Sequence, residues 1–251
     1  GSVAETLSNV TGDAAASGPR AMPCLFRVLA AHRPDDLPTR HLLVNLVEVE
    51  LGRDQRSGWR RDGGRLGVEA ITYPVVKGIA SRLGVTLVPL MVDGDGVRPD
   101  AIEKAHREAP LAALYLQPVL HNPLGMSLSA GRCADLLRTA GKLDLAIIED
   151  AVYGFLSDDA PLAASAPERC IVVDSLSKRV APGIAVGFIN GPARLRERII
   201  ASIRSGAWLA TGFALEASQR MMADGLVAEL CTLKRADGRR RHQLARECLE
   251  G

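Results

Sequence analysis

Short apolar runs recur along residues 65–189 and are separated by segments with helical patterns. Six runs predict strands, and they lie at residues 66–70, 85–92, 112–116, 145–148, 170–173 and 184–189. Their apolar residues are continuous rather than alternating with polar ones, which is typical of strands buried on both faces of a mostly parallel sheet. The pattern therefore predicts an α/β fold with a central sheet flanked by helices.

The segments between and after these runs predict six helices. They lie at residues 73–83, 100–108, 129–141, 192–205, 213–222 and 227–249. Gly84 is expected to stop the first helix, since glycine is a common helix terminator. Ser129 is expected to cap the third, because its hydroxyl can accept a hydrogen bond from a free backbone N–H of the first turn.

Residues 1–62 have a different pattern, rich in Ala, Arg, Pro and Gly, with no repeat. Within them, only residues 42–51 (LLVNLVEVEL) suggest one strand or helix. They contain no winged helix-turn-helix pattern, and Gly1-Ser2 resembles the remnant of an expression tag. We therefore predict an atypical N-terminal segment over residues 1–64.

Composition excludes several classes of protein. With 31 Lys and Arg against 29 Asp and Glu, the net charge of +2 argues against a dedicated nucleic-acid binder. No stretch of 18 uncharged apolar residues predicts a membrane span. The five cysteines are scattered without a CxxC pair, which argues against disulfides and zinc and favours a cytoplasmic location. The five histidines show no ligand spacing, so no metal is expected.

Polar residues follow three of the predicted strands. They are Asn122, Asp150 and the segment from Ser175 to Lys178. Ligands of parallel α/β sheets bind at the carboxyl ends of the strands, so these residues are the candidates for chemistry.

Each candidate also has an ordinary interpretation. Most lysines are surface cations, but a desolvated lysine such as Lys178 can lose its proton and attack a carbonyl to form a Schiff base. Asp150 is either a loop carboxylate or the partner of a protonated cofactor ring nitrogen. Asn122, within Asn-Pro-Leu-Gly, is by itself only a turn signal.

Together, four segments form a more specific pattern, and they are residues 69–74 (EAITYP), 118–125 (PVLHNPLG), 148–153 (IEDAVY) and 174–187 (DSLSKRVAPGIAVG). In this order and spacing they resemble the class I/II aminotransferase family of fold-type-I pyridoxal-phosphate-dependent enzymes. The resemblance is strongest to the aminotransferase-like domain of MocR-type regulators. It extends from about Arg65 to the C-terminus.

The resemblance implies a role for each matching residue. Lys178 would form the Schiff base with pyridoxal 5′-phosphate and then move the α-proton as base and acid. Asp150 would pair with the pyridine nitrogen. Asn122 and Tyr153 would hydrogen-bond the 3-oxygen of the ring.

Three further residues are implied to hold the cofactor. Tyr73 would stack on the face of the ring, since an aromatic plane suits a flat cofactor. Ser175 would donate a hydrogen bond to the phosphate. Ser177 would do the same or only support the turn.

Two usual phosphate anchors of the family are missing from the sequence. Ala185 stands where the family usually has an arginine, and residues 45–50 (NLVEVE) replace a glycine-containing loop at a helix N-terminus. Arg179 is a possible substitute, but we expect it to be a surface residue.

The resemblance also implies a small C-terminal domain that supplies the arginine for the substrate carboxylate, and we expect this domain to be missing. Arg235, Arg239, Arg240 and Arg241 are close to the C-terminus, where we expect a solvated helix face. Without that carboxylate clamp, transamination is expected to be weak or absent.

The resemblance predicts a large cofactor-binding domain over residues 65–225 and, over residues 226–251, the start of a long helix towards the absent small domain. The expected function is that of an aminotransferase acting on amino acids and 2-oxo acids, as a homodimer. Three alternatives remain: a degenerate or truncated relative without turnover, the effector domain of a MocR-type transcription regulator, and an enzyme that uses the same cofactor for decarboxylation, racemisation or β-elimination. The lack of a winged helix-turn-helix favours the enzyme.

Overall fold

A computed structural model describes residues 25–31, 64–184, 186–205 and 210–250. Seven of its strands form one sheet, and they are β1 (Leu25–Ala31), β2 (Arg65–Glu69), β3 (Thr86–Leu90), β6 (Ala113–Leu116), β7 (Ala146–Asp150), β8 (Cys170–Ser175) and β9 (Val186–Pro192). A separate two-stranded ribbon pairs β4 (Val92–Asp93) with β5 (Gly96–Val97). Residues 42–51, where one element was suggested, lie outside this description.

The strands of the sheet are ordered β1-β9-β8-β7-β6-β2-β3. The five strands β8, β7, β6, β2 and β3 are parallel to one another, which confirms the prediction of a mostly parallel sheet. β9 is antiparallel to β8, and β1 is antiparallel to β9. The apolar run that corresponds to β9 does not indicate the direction of the strand. The sequence did not predict β1, which lies within the N-terminal segment.

Seven α-helices are described: α1 (Pro74–Leu83), α2 (Pro99–Glu108), α3 (Ala130–Lys142), α4 (Leu176–Arg179), α5 (Arg196–Ser205), α6 (Gly212–Ala223) and α7 (Leu226–Glu250). Gly84 ends α1 in the left-handed conformation, with φ of 66°, as expected. The Ser129 hydroxyl accepts a hydrogen bond from the backbone N–H of Arg132 at 3.2 Å, which confirms the predicted cap of α3. No helix in the described part of the chain is both long and apolar enough to cross a membrane.

Two predicted elements have different bounds in the structure. The run at residues 85–92 divides into β3, which pairs with β2 in the main sheet, and β4, which pairs with β5 in the ribbon. Pro192 belongs to β9 instead of a helix, and a 3₁₀ turn at Ala193–Leu195 precedes α5.

Core side chains alternate between the two faces of the sheet, as the period of a strand requires. Tyr115 and Ile148 pack on one face, and Leu114 and Ile147 on the other. All four are fully buried, and each such apolar side chain contributes about 1.5–3 kcal/mol through removal from water. Asp150 follows Ile148 by two residues and therefore belongs to the face of Tyr115.

Candidate active site

The structure brings together all the side chains that were predicted to form a site. They line one cleft at the carboxyl edge of the sheet: Tyr73, Asn122, Asp150, Tyr153, Ser175, Ser177 and Lys178. Gln117 and Val152 complete the lining. The cleft has a free volume of about 30 Å³, so its side chains, more than its size, define its chemistry. Their individual roles remain predictions.

Asp150 ends β7 and is only 2% exposed. Its Oδ2 accepts hydrogen bonds from the Tyr115 hydroxyl at 2.7 Å and from Gln117 Nε2 at 3.2 Å. Its Oδ1 accepts one from the Val152 backbone N–H at 3.2 Å. A carboxylate has about four acceptor positions, so one position on Oδ1 has no donor among the described residues.

Burial and hydrogen bonding act in opposite directions on this carboxylate. Loss of solvation raises the pKa of Asp150, while the bonds from Tyr115, Val152 and Gln117 oppose that rise. The hydrogen bonds also fix the orientation of the carboxylate. Asp150 is therefore an oriented acceptor in a low-dielectric position.

Tyr115 was not predicted as a site residue. It lies in β6 and is completely buried, and burial together with the Asp150 charge raises the pKa of its hydroxyl well above the usual range. The hydroxyl therefore stays protonated and donates to Asp150. The sequence contained one indication of this contact, a tyrosine within an apolar strand. A buried tyrosine hydroxyl usually needs a hydrogen-bond partner.

Gln117 was also missed, although it follows its strand directly. Its amide connects two predicted residues, donating to Asp150 and accepting at Oε1 from the backbone N–H of Asn122 at 3.1 Å. Its own backbone N–H donates to Glu69 Oε1 at 2.8 Å. The rule that selected Asn122, a polar residue after a strand, applies equally to Gln117.

A tight turn holds Asn122 at the rim of the cleft. The His121 backbone N–H donates to the Met126 carbonyl at 2.8 Å, and the peptide bond between Asn122 and Pro123 is cis. Gly125 has a φ of 66°, a conformation that glycine adopts without strain. The turn predicted from Asn-Pro-Leu-Gly is therefore present and places Asn122 beside Gln117.

Lys178 lies on the single helical turn α4, directly after β8. Its side chain is half-buried, and Nζ lies 5.8 Å from the centroid of the Tyr153 ring. This is within the range of a cation–π contact. The Ser177 hydroxyl is buried and has no hydrogen-bond partner among the described residues, so it remains available to a ligand.

Arg179 is not the surface residue that was expected. Its Nε donates to Asp174 Oδ2 at 3.0 Å, and its guanidinium carbon lies 5.1 Å from the Phe155 ring centroid. The half-buried Asp174 carboxylate pairs with the guanidinium, which explains the orientation of Arg179. Arg179 does not line the cleft, so it does not substitute there for a missing phosphate anchor.

Arg235 also differs from the solvated helix face that was expected. It donates to the carbonyl of Phe155 and, at 2.9 Å, to the carbonyl of Ser157, and it pairs with Asp158 at 2.7 Å. Arg239 and Arg241, further along α7, are 76% and 77% exposed at their side chains. The expectation of a solvated face is therefore wrong for Arg235 and confirmed for these two.

Some predictions lie outside the described residues. Ala185 and residues 45–50, which bear on the phosphate anchors, belong to this group.

A second cavity, of about 290 Å³, meets the cleft at Asp150 and is also lined by Glu149, Asp174 and Arg179. A larger cavity of about 740 Å³ beside α2 shares no residue with the cleft, and its Arg98–Asp100 ion pair is exposed. No group of three or more His, Cys, Asp or Glu side chains in the described ranges is suited to hold a metal ion.

The chain is similar to known proteins in both sequence and structure. The family model described as aminotransferase class I and II matches residues 61–249. The uncharacterized HTH-type transcriptional regulator YdeF of Bacillus subtilis (strain 168) is 30% identical over 193 residues, which cover 76% of this chain and 42% of that protein. Aminotransferase tdiD of Emericella nidulans is 31% identical over 150 residues, or 53% of this chain and 34% of that protein.

Among solved structures, the multiple substrate aminotransferase from Thermococcus profundus matches with a TM-score of 0.79 at 21% identity. The match covers 91% of this chain and 56% of that one. At this identity the likeness shows the fold. The chain thus spans between about a third and somewhat over half of the lengths of these relatives.

Proposed function

Because the chain belongs to the class I and II aminotransferase family, we propose that it binds pyridoxal 5′-phosphate and moves an amino group between an amino acid and a 2-oxo acid. The observation that carries this proposal is the convergence of Lys178 and Asp150, with seven other residues, in one cleft. A buried acceptor and an amine that line the same polar cleft are the two groups that this chemistry needs most.

The residues present fit this cofactor. Asp150 Oδ1 retains one acceptor position, which suits a protonated ring nitrogen, and the buried Ser177 hydroxyl has no described partner, which suits a phosphate oxygen. When bound, pyridoxal phosphate supplies an aldehyde that condenses with an amine with loss of water, and a ring that withdraws electrons from the substrate α-carbon.

Asp150 would keep the proton on the ring nitrogen by offering a fixed negative charge. Its orientation is held by Tyr115 and Gln117, so little reorganisation is needed when the ring arrives. Because Tyr115 stays protonated, it donates to Asp150 throughout and never competes for that proton.

Lys178 would contribute its Nζ twice, first as the amine that anchors the cofactor and then as the group that moves the α-proton. Asn122 and Tyr153 would orient the ring through its 3-oxygen. Tyr73 would pack against the ring face, and Ser175 would join Ser177 at the phosphate.

A spectroscopic titration followed by amino acids tests this function. Adding pyridoxal phosphate is expected to give an absorbance band near the visible edge, which is lost in Lys178→Ala. Lys142→Ala is the matched control, because Lys142 is an exposed lysine that pairs with Glu103. An amino acid from a panel should then discharge the band and yield its 2-oxo acid. No band at saturating cofactor would overturn the proposal.

One specific observation favours a second function, the effector domain of a transcription regulator. The match to YdeF covers 76% of this chain, compared with 53% for tdiD. A regulator domain would show the Lys178-dependent band but leave it unchanged with every amino acid. The same experiment therefore separates the two functions, and a homodimeric, cytoplasmic protein remains a prediction for both.

A further inference from the structure

Lys234 of α7 contacts the backbone of the turn that carries Lys178. Its Nζ lies 2.8 Å from the carbonyl oxygen of Lys178 and 2.8 Å from that of Val180. These residues are 56 and 54 positions apart in the sequence, so the contact joins two distant parts of the chain.

The turn needs such a partner because of its length. α4 has four residues, and the backbone bond from Val180 N–H to the Leu176 carbonyl, at 2.7 Å, closes it. The last carbonyls of any helix lack partners within the helix. The half-buried ammonium of Lys234 supplies two of its three N–H donors to carbonyls at this end.

Arg235, the next residue, contacts a second segment of the chain. It donates to the carbonyls of Phe155 and Ser157, in the segment that follows Tyr153. Two successive residues of α7 therefore attach the helix to the turn of Lys178 and to the segment after Tyr153. The two contacts are separate, because they involve different backbone atoms in different segments.

We propose that Lys234 is a positioning residue that fixes the Lys178 turn, so that the Lys178 amine is held towards the cleft. The inference rests on the proposed function for the use of that amine, and on the hydrogen bonds alone for the order of the turn. Lys234 does not line the cleft, and its effect is transmitted through the backbone of Lys178.

The first measurement needs no cofactor. Hydrogen exchange of the full chain is followed by mass spectrometry in the wild type, Lys234→Met, Arg235→Met and the matched control Lys142→Met. Loss of two bonds to a charged donor should raise exchange at residues 176–180 about tenfold in Lys234→Met. Arg235→Met should act on residues 154–158 instead, and Lys142→Met should leave both segments unchanged.

The second measurement is the dissociation constant of pyridoxal phosphate, obtained from its absorbance. We expect binding about tenfold weaker in Lys234→Met, with most of the loss restored in Lys234→Arg, which keeps a cationic donor. If Lys234→Met does not fold, Lys234→Gln takes its place in both measurements, since its amide retains two N–H donors and loses the charge.

The outcomes separate this inference from the proposed function. A wild type that binds no pyridoxal phosphate refutes the function, while the exchange at residues 176–180 still decides the role of Lys234. A wild type that binds the cofactor, with unchanged exchange and affinity in Lys234→Met, overturns the inference. Equal exchange at residues 176–180 in Lys234→Met and Arg235→Met also overturns it, because general docking of α7 would then suffice.

Discussion

Asp150 combines two opposing requirements in a single residue. Its burial disfavours the charged form, and three hydrogen bonds within the protein favour it. Two of these come from buried side chains, the hydroxyl of Tyr115 and the amide of Gln117. The function of Asp150 therefore depends on Tyr115 and Gln117 as well as on its own position.

Tyr115→Phe removes the shorter of the two side-chain bonds. We expect the free energy of unfolding to fall by about 1–2 kcal/mol, because a buried carboxylate loses a 2.7 Å donor. Urea denaturation monitored by circular dichroism measures this change.

Tyr153→Phe is the matched control, since no described residue hydrogen-bonds its half-buried hydroxyl. It should leave stability almost unchanged and weaken pyridoxal phosphate binding, if Tyr153 serves the cofactor. Equal losses of stability in the two variants would contradict the importance of the Tyr115–Asp150 bond.

The site is formed by the ends of three neighbouring parallel strands. β6, β7 and β8 lie side by side, and their carboxyl ends bring Gln117, Asp150 and Ser175 to one edge. Both faces of these strands are covered by core side chains, so polar side chains can reach a ligand only where the strands end. The rigidity of this part of the sheet should therefore matter to the site.

Gly67 tests the packing between β2 and β6. A Cβ at this position would lie 2.8 Å from Leu114 Cδ2 and 3.1 Å from Leu90 Cδ1, both in the core. Gly67→Ala should therefore lower the free energy of unfolding by about 1–3 kcal/mol.

Gly78→Ala is the control on α1, where a Cβ meets no atom within 4 Å. It should stabilise the protein by about 0.5–1 kcal/mol, because alanine favours the helix. Thermal unfolding should show a lower stability for Gly67→Ala and a higher stability for Gly78→Ala than for the wild type. An unchanged stability of Gly67→Ala would contradict the close packing of β2 against β6.

The sequence predicted much of this architecture for a physical reason. Buried strands are continuous apolar runs, and polar chemistry starts where they end, so Asn122, Asp150 and Lys178 could be located without a structure. Tyr115 was not recognised as a site residue because its aromatic ring is compatible with the apolar run that contains it. The direction of β9 and the contacts of Arg235 depend on tertiary packing, which no local pattern contains.

Three carboxyl groups that lose solvation on folding have the same effect on the pH dependence of stability. Glu149 is 1% exposed and accepts backbone hydrogen bonds from Leu162 and Ala163, yet burial raises its pKa to about 7. Burial also raises the pKa values of Asp150 and Asp174. The folded protein therefore holds protons that the unfolded chain releases at a lower pH.

This predicts a stability that falls as the pH rises. For Glu149 the favourable contribution is complete below pH 4.5, the ordinary value, and is lost as the pH rises through about 7. This contribution of Glu149 to the free energy of unfolding is about 3 kcal/mol, because its pKa rises from 4.5 to about 7 and each pKa unit corresponds to about 1.4 kcal/mol. Urea denaturation across this pH range measures the slope.

Glu149→Gln should reduce that slope, because the amide does not titrate. Glu103→Gln is the control, since Glu103 is on the surface in an ion pair with Lys142. A slope that is the same in Glu149→Gln and the wild type would contradict the assignment of the proton to Glu149.

The most direct test of the central claim is to locate the cofactor on the chain. The full chain, incubated with pyridoxal phosphate, is reduced with borohydride and digested, and the modified lysine is identified by mass spectrometry. The chain has five lysines, at positions 77, 104, 142, 178 and 234, so the assignment is unambiguous. The structure predicts stoichiometric modification of Lys178 at low cofactor concentration, with the other four almost unmodified. Modification spread over the exposed lysines, or its absence from Lys178, would contradict the assignment of this cleft as a pyridoxal phosphate site.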